Sequence, residues 1–503
     1  MSFKLKVIIQ KKIILDEYPD CPILIPYKKD CPYLQNLLGD QLYTELDKIP
    51  KEDLEKDLHV SPKLVYIKLQ NYLKPVIFYS LPADFNDKTS MRLGKKITDL
   101  ICKFHYSKFY YIPLEDVLQR PDDSYTCKFI EGMFYGLYTF SKYKKEGKER
   151  KLTELYTITE NTNITDFFNN KFSELQILFK YLNLARDLTN EPSNIINPES
   201  FSLFIKNNSQ KNVNIEIWDE KEIESKKLNL IAAVGKGSPN KQKFITMTYK
   251  GEMEKPDYIC LIGKGVTFDT GGTNLKPTGS IETMKSDMAG AAISYALINL
   301  IAELQLKLNI TVLLPLVENI IGTNSYKPGD IYTSYSGKNV EILNTDAEGR
   351  LILADSLSYA TKNGASIIID IATLTGAIVV TFGSFCAGYF TNSELLSEVF
   401  SKCINKTNED FFRLPLIEDY RERIKSKNAD LQNVANQKRE AGAIIAAIFL
   451  EEFVNGKPWI HLDIAGPAYL EEEHPVYGSG GTAYGFRSLY EFVISSYDII
   501  NKK

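Results

Sequence analysis

The sequence predicts an α/β protein of two α/β domains, the C-terminal one a large mixed sheet with helices on both faces. Three observations carry this. Short runs of β-branched and aromatic residues alternate along the chain with segments of helical periodicity. A long helical stretch around residues 161–188 separates a first part from a second. The 503 residues, 44% hydrophobic and 25% charged, suffice for more than one core. The expected division is an N-terminal α/β domain over 1–160, a linker helix over 161–188 and a second domain over 189–503.

In the first domain KVIIQ, PILIPY, VIFYS and FYYIPL read as strands, and Leu93 to Phe104 reads as a helix. The charged run Ser141 to Lys151 is expected to be a surface loop, because Glu146 and Glu149 interrupt its basic residues. From Thr165 to Leu188 the apolar spacing predicts a helix about 35 Å long, which the following EPSN breaks. Beyond it KFITMTY, YICLI, NITVLLPLV, SIIIDIA and WIHLDIA alternate with helices at Ala289 to Leu304, Leu351 to Lys362 and Ala443 to Phe453. That alternation is what a sheet covered by helices on both faces requires. Asp370 is the only charge between Ile367 and Phe390, but Thr373, Thr375, Gly376 and Gly383 make the segment a buried strand and glycine turn, not a bilayer span.

Composition narrows the function. With 60 basic and 64 acidic side chains the formal charge is −4, so neither nucleic acid nor an anionic membrane is the default partner. Seven cysteines without C-x-x-C spacing read as buried thiols of a reducing compartment. Lys11 and Lys12 interrupt the apolar start, so no secretory leader is expected and the chain reads as cytoplasmic. Only four histidines occur, so a metal centre would rest on carboxylates.

Three stretches of the second part place charge where a core should be apolar. In DYICLIGKGVTFDTGGTNLKP a strand runs into Lys264, Asp269 and Lys276 among glycines, a loop able to close around something small. It matches neither nucleotide-binding glycine pattern. In IETMKSDMAGAA, Ser286 is expected to cap a helix with Asp287 in its first turn. In EILNTDAEGRLILADSL, an extended Asn344 to Arg350 would put Asp346, Glu348 and Arg350 on one face. Carboxylates forced together repel unless a cation or a shared proton lies between them. An oxygen-rich set of this kind suits a pair of divalent ions.

GKGVTFDTGGTNLKP, MKSDMAGAA, NTDAEGR and DIATLTGA, with RDLTNEPSN, ADLQN and HLDIAGPA, resemble the cytosol leucyl aminopeptidase family of hexameric dizinc exopeptidases over roughly residues 180–490. The resemblance implies a tight metal site of Lys264, Asp269, Asp287 and Glu348. It implies an exchangeable one of Asp269, Asp346 and Glu348, with the Asp346 carbonyl assisting. A lysine ligand must be neutral, which requires a strongly depressed pKa for Lys264 beside the metal. Lys276 would polarise the scissile carbonyl, and Arg350 would hold a bicarbonate acting as general base. Met284, Asn344, Thr373, Gly376, Ala465 and Ala468 would shape the S1 pocket, with Leu374 offering a backbone contact. The implied activity is release of N-terminal Leu and other hydrophobic residues from peptides by a two-metal activated water. The cofactors would be Zn²⁺, with Mn²⁺, Mg²⁺ or Co²⁺ as alternatives at the exchangeable site. The partners are peptides with a free N-terminus and further copies of the chain. A Cys-Gly or other dipeptidase on the same site, and a moonlighting assembly or nucleic-acid-binding role, are the alternatives.

Overall fold

The computed structural model describes residues 5–13, 19–27, 31–47, 62–69, 72–80, 85–145, 150, 152–435 and 440–501. The chain divides into two compact units, Met1–Lys180 with Glu473–Gly478, and Tyr181–Glu472 with Ser479–Lys503.

The first unit carries a six-stranded sheet of β1 (Lys6–Gln10), β2 (Ile23–Tyr27), β3 (Lys63–Lys68), β4 (Leu73–Ser80), β5 (Lys108–Tyr111) and β6 (Glu154–Ile158), in the order β1-β6-β5-β2-β4-β3. Only the β3–β4 pairing is antiparallel. Ile23, Val76, Phe78, Tyr110 and Tyr156 form part of its buried core. The helix predicted at Leu93 begins earlier, at Asp87, where Asn86 and Thr89 complete a capping box. The predicted helix from Thr165 is not continuous: Thr162–Asp166 is followed by a π turn, Phe167–Lys171, and then by the helix Phe172–Asn190. The π turn places Phe167, Phe168 and Phe172 in one buried aromatic group. Of the run Ser141 to Lys151, residues 146–149 and 151 lie outside the described residues.

The second unit is built on a nine-stranded mixed sheet. It contains β7 (Val213–Trp218), β8 (Lys243–Lys250), β9 (Ile259–Gly263), β10 (Gly265–Asp269), β11 (Asn309–Asn319), β14 (Ile367–Ala372), β15 (Ala387–Thr391), β16 (Phe411–Arg413) and β18 (Trp459–Asp463). Their order is β16-β15-β18-β14-β9-β11-β8-β7, with β10 beside β11. The intervening β12 (Ile331–Thr333), β13 (Asn339–Glu341) and β17 (Leu431–Gln432) form a separate small sheet.

β9 and β14 are buried along their whole length, as parallel central strands covered on both faces must be. Side-chain alternation shows which helix covers which face. Cys260 and Ile262 join the cluster containing Leu353 and Leu357 of the helix Gly349–Lys362. Gly263, pointing the other way, lies against the helix Ala289–Glu303, where a Cβ would meet Gly290 O at 2.5 Å and Ala291 Cα at 2.7 Å. The apolar segment from Ile367 resolves into β14, the helix Gly376–Phe382 and β15. No helix among the described residues is long and apolar enough to cross a membrane. All seven cysteines are free thiols.

Candidate active site

The carboxyl ends of the central strands deliver the charged groups, where open α/β sheets hold ligands. β9 ends at Gly263 and hands the chain to Lys264; β10 ends on Asp269; β14 ends one residue before Thr373. The loop after β10 turns back through Gly271 (φ 87) and Gly272 (φ 65). A Cβ on Gly271 would lie 2.8 Å from Asp346 Oδ1, so a side chain there would intrude on the acidic group itself.

Two local expectations are corrected. Residues 344–350 are not extended: a turn at Thr345 and Asp346 leads into the helix Gly349–Lys362, and Glu348 sits at its N-cap. The turn, not strand alternation, brings Asp346 and Glu348 together. Ser286 does not cap the next helix either. It closes the 3-10 turn Met284–Ser286, and the helix begins at Ala289. Asp287 therefore lies, buried, in the joint between the two.

Oxygens of Asp269, Asp346 and Glu348 all lie within 4.8 Å of one another. Lys264 Nζ lies 2.6 Å from Asp287 Oδ1 and 3.0 Å from Glu348 Oε1, and it donates to Thr373 O at 2.8 Å. Lys276 Nζ lies 2.8 Å from Asp269 Oδ2 and 2.6 Å from Asp346 Oδ1. The four carboxylates and two lysines singled out in the sequence thus form one group. Fully ionised, it has two negative charges left uncompensated.

Burial pushes the Asp269 carboxyl up to about 6, with Glu348 adding to the rise and Lys276 and Lys264 opposing it. Burial also raises Asp287. Burial works against Glu348 as well, but Lys264 and Lys276 outweigh it and hold this carboxyl below its usual range. Without a metal, burial disfavours the charge on Lys264, but Asp287 and Glu348 outweigh it and raise this lysine above its ordinary value.

A divalent cation fits this donor set. All donors but the lysine are hard oxygens, the surplus charge is negative, and buried Asp287 Oδ2 has no hydrogen-bond partner among the described residues.

Several supporting residues escaped the sequence reading. Asn319, at the end of β11, donates through Nδ2 to Asp269 Oδ1 at 2.8 Å and to Thr345 O at 3.0 Å. Asn433 accepts from Leu343 N at 2.8 Å, donates to Asn344 O at 2.7 Å, and offers its carbonyl to Arg350 Nη1 at 2.7 Å. A polar residue ending an apolar strand, as in NITVLLPLVEN, was the available signal for Asn319; Asn433 stood in a matched motif without an assigned role.

Arg350 is buried, which lowers its guanidinium to about 10. Among the expected pocket residues, Asn344 Oδ1 accepts the Asp346 N–H at 2.8 Å and Thr373 donates its hydroxyl to Asp287 Oδ1 at 2.7 Å. Leu374 and Ala465 meet at Asp463 Oδ1, 3.0 and 3.3 Å from their N–H groups. Gly376 is exposed and a Cβ there would meet nothing within 4 Å, whereas Ala468 is buried with its N–H on Ile464 O. Met284 begins the 3-10 turn, half-buried. His461 pairs with Asp370, Nδ1 to Oδ1 at 2.5 Å, and is not among these ligands.

The sequence model of the cytosol aminopeptidase family, catalytic domain, matches residues 183–490. A probable cytosol aminopeptidase of Clostridium perfringens is 35% identical over 477 residues, covering 93% of this chain and 95% of that protein. One of Chlamydia abortus is 39% identical over 389 residues, covering 76% of this chain and 77% of its own. Among solved structures, the bottromycin maturation enzyme BotP superposes with a TM-score of 0.81 at 26% identity, over 95% of this chain and all of that one. Its complex with Mn gives 0.77.

Proposed function

Because the chain belongs to the cytosol aminopeptidase family and is a metal-dependent aminopeptidase, we propose that it releases N-terminal Leu and other hydrophobic residues from peptides at the carboxylate group around Asp269. One observation carries this reading: Asp269, Asp346 and Glu348 converge within 4.8 Å, with Lys264 on one side and Lys276 on the other. The tight metal site is Lys264, Asp269, Asp287 and Glu348; the exchangeable one is Asp269, Asp346 and Glu348 with the Asp346 carbonyl. When bound, a pair of divalent ions, Zn²⁺ with Mn²⁺, Mg²⁺ or Co²⁺ as alternatives at the second position, supplies an activated water and a Lewis acid.

The chain supplies the rest. Lys276 keeps its proton beside Asp269 and Asp346 and offers it to the scissile carbonyl oxygen as negative charge develops there. Arg350, held through Nη1 by Asn433 and with Nε lacking a hydrogen-bond partner among the described residues, would hold a bicarbonate, which would supply a general base there. Thr373, Gly376 and Ala465, with Met284, Asn344 and Ala468, receive the N-terminal side chain, and Leu374 offers a backbone contact to the substrate. The enzyme works as a cytoplasmic homohexamer.

The assay compares a leucine aminoacyl reporter with its N-acetylated form on chelator-stripped protein, with each metal restored in turn. Cleavage of the free-amine substrate only, and only with metal, is expected; equal cleavage of both would remove the exopeptidase reading.

Metal uptake must also displace the Lys264 proton and any proton held on Asp269 and Asp287, both raised by burial. Affinity is therefore expected to rise with pH, and uptake at about pH 7.5 to release at least about one proton per tight site. Calorimetry in buffers of different ionisation heats measures this. A heat independent of buffer would mean that Lys264 keeps its proton and is no ligand.

A further inference from the structure

β14 and β18 run parallel, with Ala372 opposite Asp463. Their ladder extends one step further, where Ile464 N–H donates to Ala372 O at 2.9 Å. Past that step a side chain continues the connection. Asp463, fully buried, accepts the Leu374 N–H at 3.0 Å and the Ala465 N–H at 3.3 Å on Oδ1, and the Thr375 hydroxyl at 2.7 Å on Oδ2. Three donors on one buried carboxyl group make a stiff clamp.

The clamp acts on a segment already tied to the acidic group. Thr373 gives its carbonyl to Lys264 Nζ at 2.8 Å and its hydroxyl to Asp287 Oδ1 at 2.7 Å. Thr375 Oγ1 also accepts the Ile378 N–H at 3.1 Å, so the hydroxyl that Asp463 orients caps the helix Gly376–Phe382. Leu374, Thr375 and Ala465 are thereby referred to one carboxyl group that takes no part in the metal group.

We propose that Asp463 is the positioning residue that sets the specificity wall: its carboxylate fixes the Thr373–Gly376 segment against Ala465 and so defines the width of the pocket for the substrate's N-terminal side chain. This rests on the aminopeptidase reading of the site. The geometry requires two acceptor oxygens. An Asn of the same shape has one acceptor oxygen, so if it faces the two N–H groups its amide meets Thr375, whose hydroxyl proton then loses its acceptor.

The test uses the metal-loaded full-length enzyme and the variants Asp463→Asn, Thr375→Val and Thr375→Ser. Metal content, kcat/KM for leucine and alanine aminoacyl substrates, and amide hydrogen exchange over residues 374–378 are measured for each. Asp463→Asn and Thr375→Val are expected to keep their metal while the Leu-over-Ala preference falls about tenfold; amide exchange at Leu374 and Ile378 accelerates. Thr375→Ser, which retains the hydroxyl, keeps the wild-type preference. An unchanged preference in both altered variants, with any loss of kcat/KM common to all substrates, overturns the proposal. If Asp463→Asn fails to fold, the Thr375 pair decides alone. If the wild type cleaves no free-amine substrate the aminopeptidase reading fails instead, and exchange still judges the clamp: faster at Leu374 and Ile378 supports it, unchanged refutes it.

Discussion

Replacing Asp269 by Ala is expected to lower kcat/KM on the order of a thousandfold or more, about 4 kcal/mol of transition-state stabilisation, while the protein still folds. The two effects separate because of how this carboxylate is placed. It is buried, and its pKa of about 6 reflects the burial and the neighbouring Glu348. Removing it relieves a repulsion but breaks the pair with Lys276 and the hydrogen bonds from Asn319 Nδ2 and Gly271 N, each at 2.8 Å; because Lys276 keeps Asp346 and Asn319 keeps Thr345 O, the net loss is expected to stay at about 2–3 kcal/mol. Catalysis has no such compensation, because both proposed metal positions share Asp269, which with Asp346 also orients Lys276. Metal analysis on the purified variant should show both equivalents weakened, and the melting temperature should move by only a few degrees. Wild-type turnover with two metals retained would take Asp269 out of the site.

The second large effect is expected at a residue with no chemistry of its own. A Cβ added to Gly349 would lie 2.6 Å from Lys264 Cε and 2.8 Å from its Nζ. Gly349 is the first residue of a helix and its φ is not positive, so Ala suits the backbone. The collision is with the end of a side chain, which ordinarily swings away at little cost. Here Asp287, Glu348 and Thr373 pin that end at 2.6, 3.0 and 2.8 Å. Lys264 must leave at least one of them. Gly349→Ala should therefore melt near the wild-type temperature yet lose about 10–100-fold in affinity at the tight site, the range seen when a ligand's support is disturbed. Metal titration of the stripped variant measures this, and wild-type affinity would show that Lys264 does not need its present position.

Much of the fold was legible because its determinants are local. YICLI and SIIIDIA read as buried strands, became β9 and β14, and are buried over every residue. The helices at Ala289, Leu351 and Ala443 were found within two residues at either end. The acidic group was legible in composition: four carboxylates and two lysines in glycine-punctuated apolar surroundings have few folded arrangements that avoid a cation. Its local geometry was not. Alternation predicted the right neighbours, Asp346 and Glu348, for the wrong reason, since a turn joins them. The cap predicted at Ser286 failed because a 3-10 turn intervenes before the helix. Short-range propensities for a strand end, a turn and a helix start are close in energy, and packing selects among them.

The sequence by itself determined the chemical inventory, the alternation that makes the sheet, and the family to which the chain belongs. Tertiary structure alone decided which distant groups hold the site in place. Asn319 reaches Asp269 across 50 residues of chain, Asn433 reaches Asn344 across 89, and Asp463 reaches Leu374 across 89. Each contact depends on the register between strands or on the return of a distant loop, and a one-residue slip in register would turn every such side chain to the other face of the sheet. Hydrogen bonds act over about 3 Å, so their partners are fixed only once the sheet has closed.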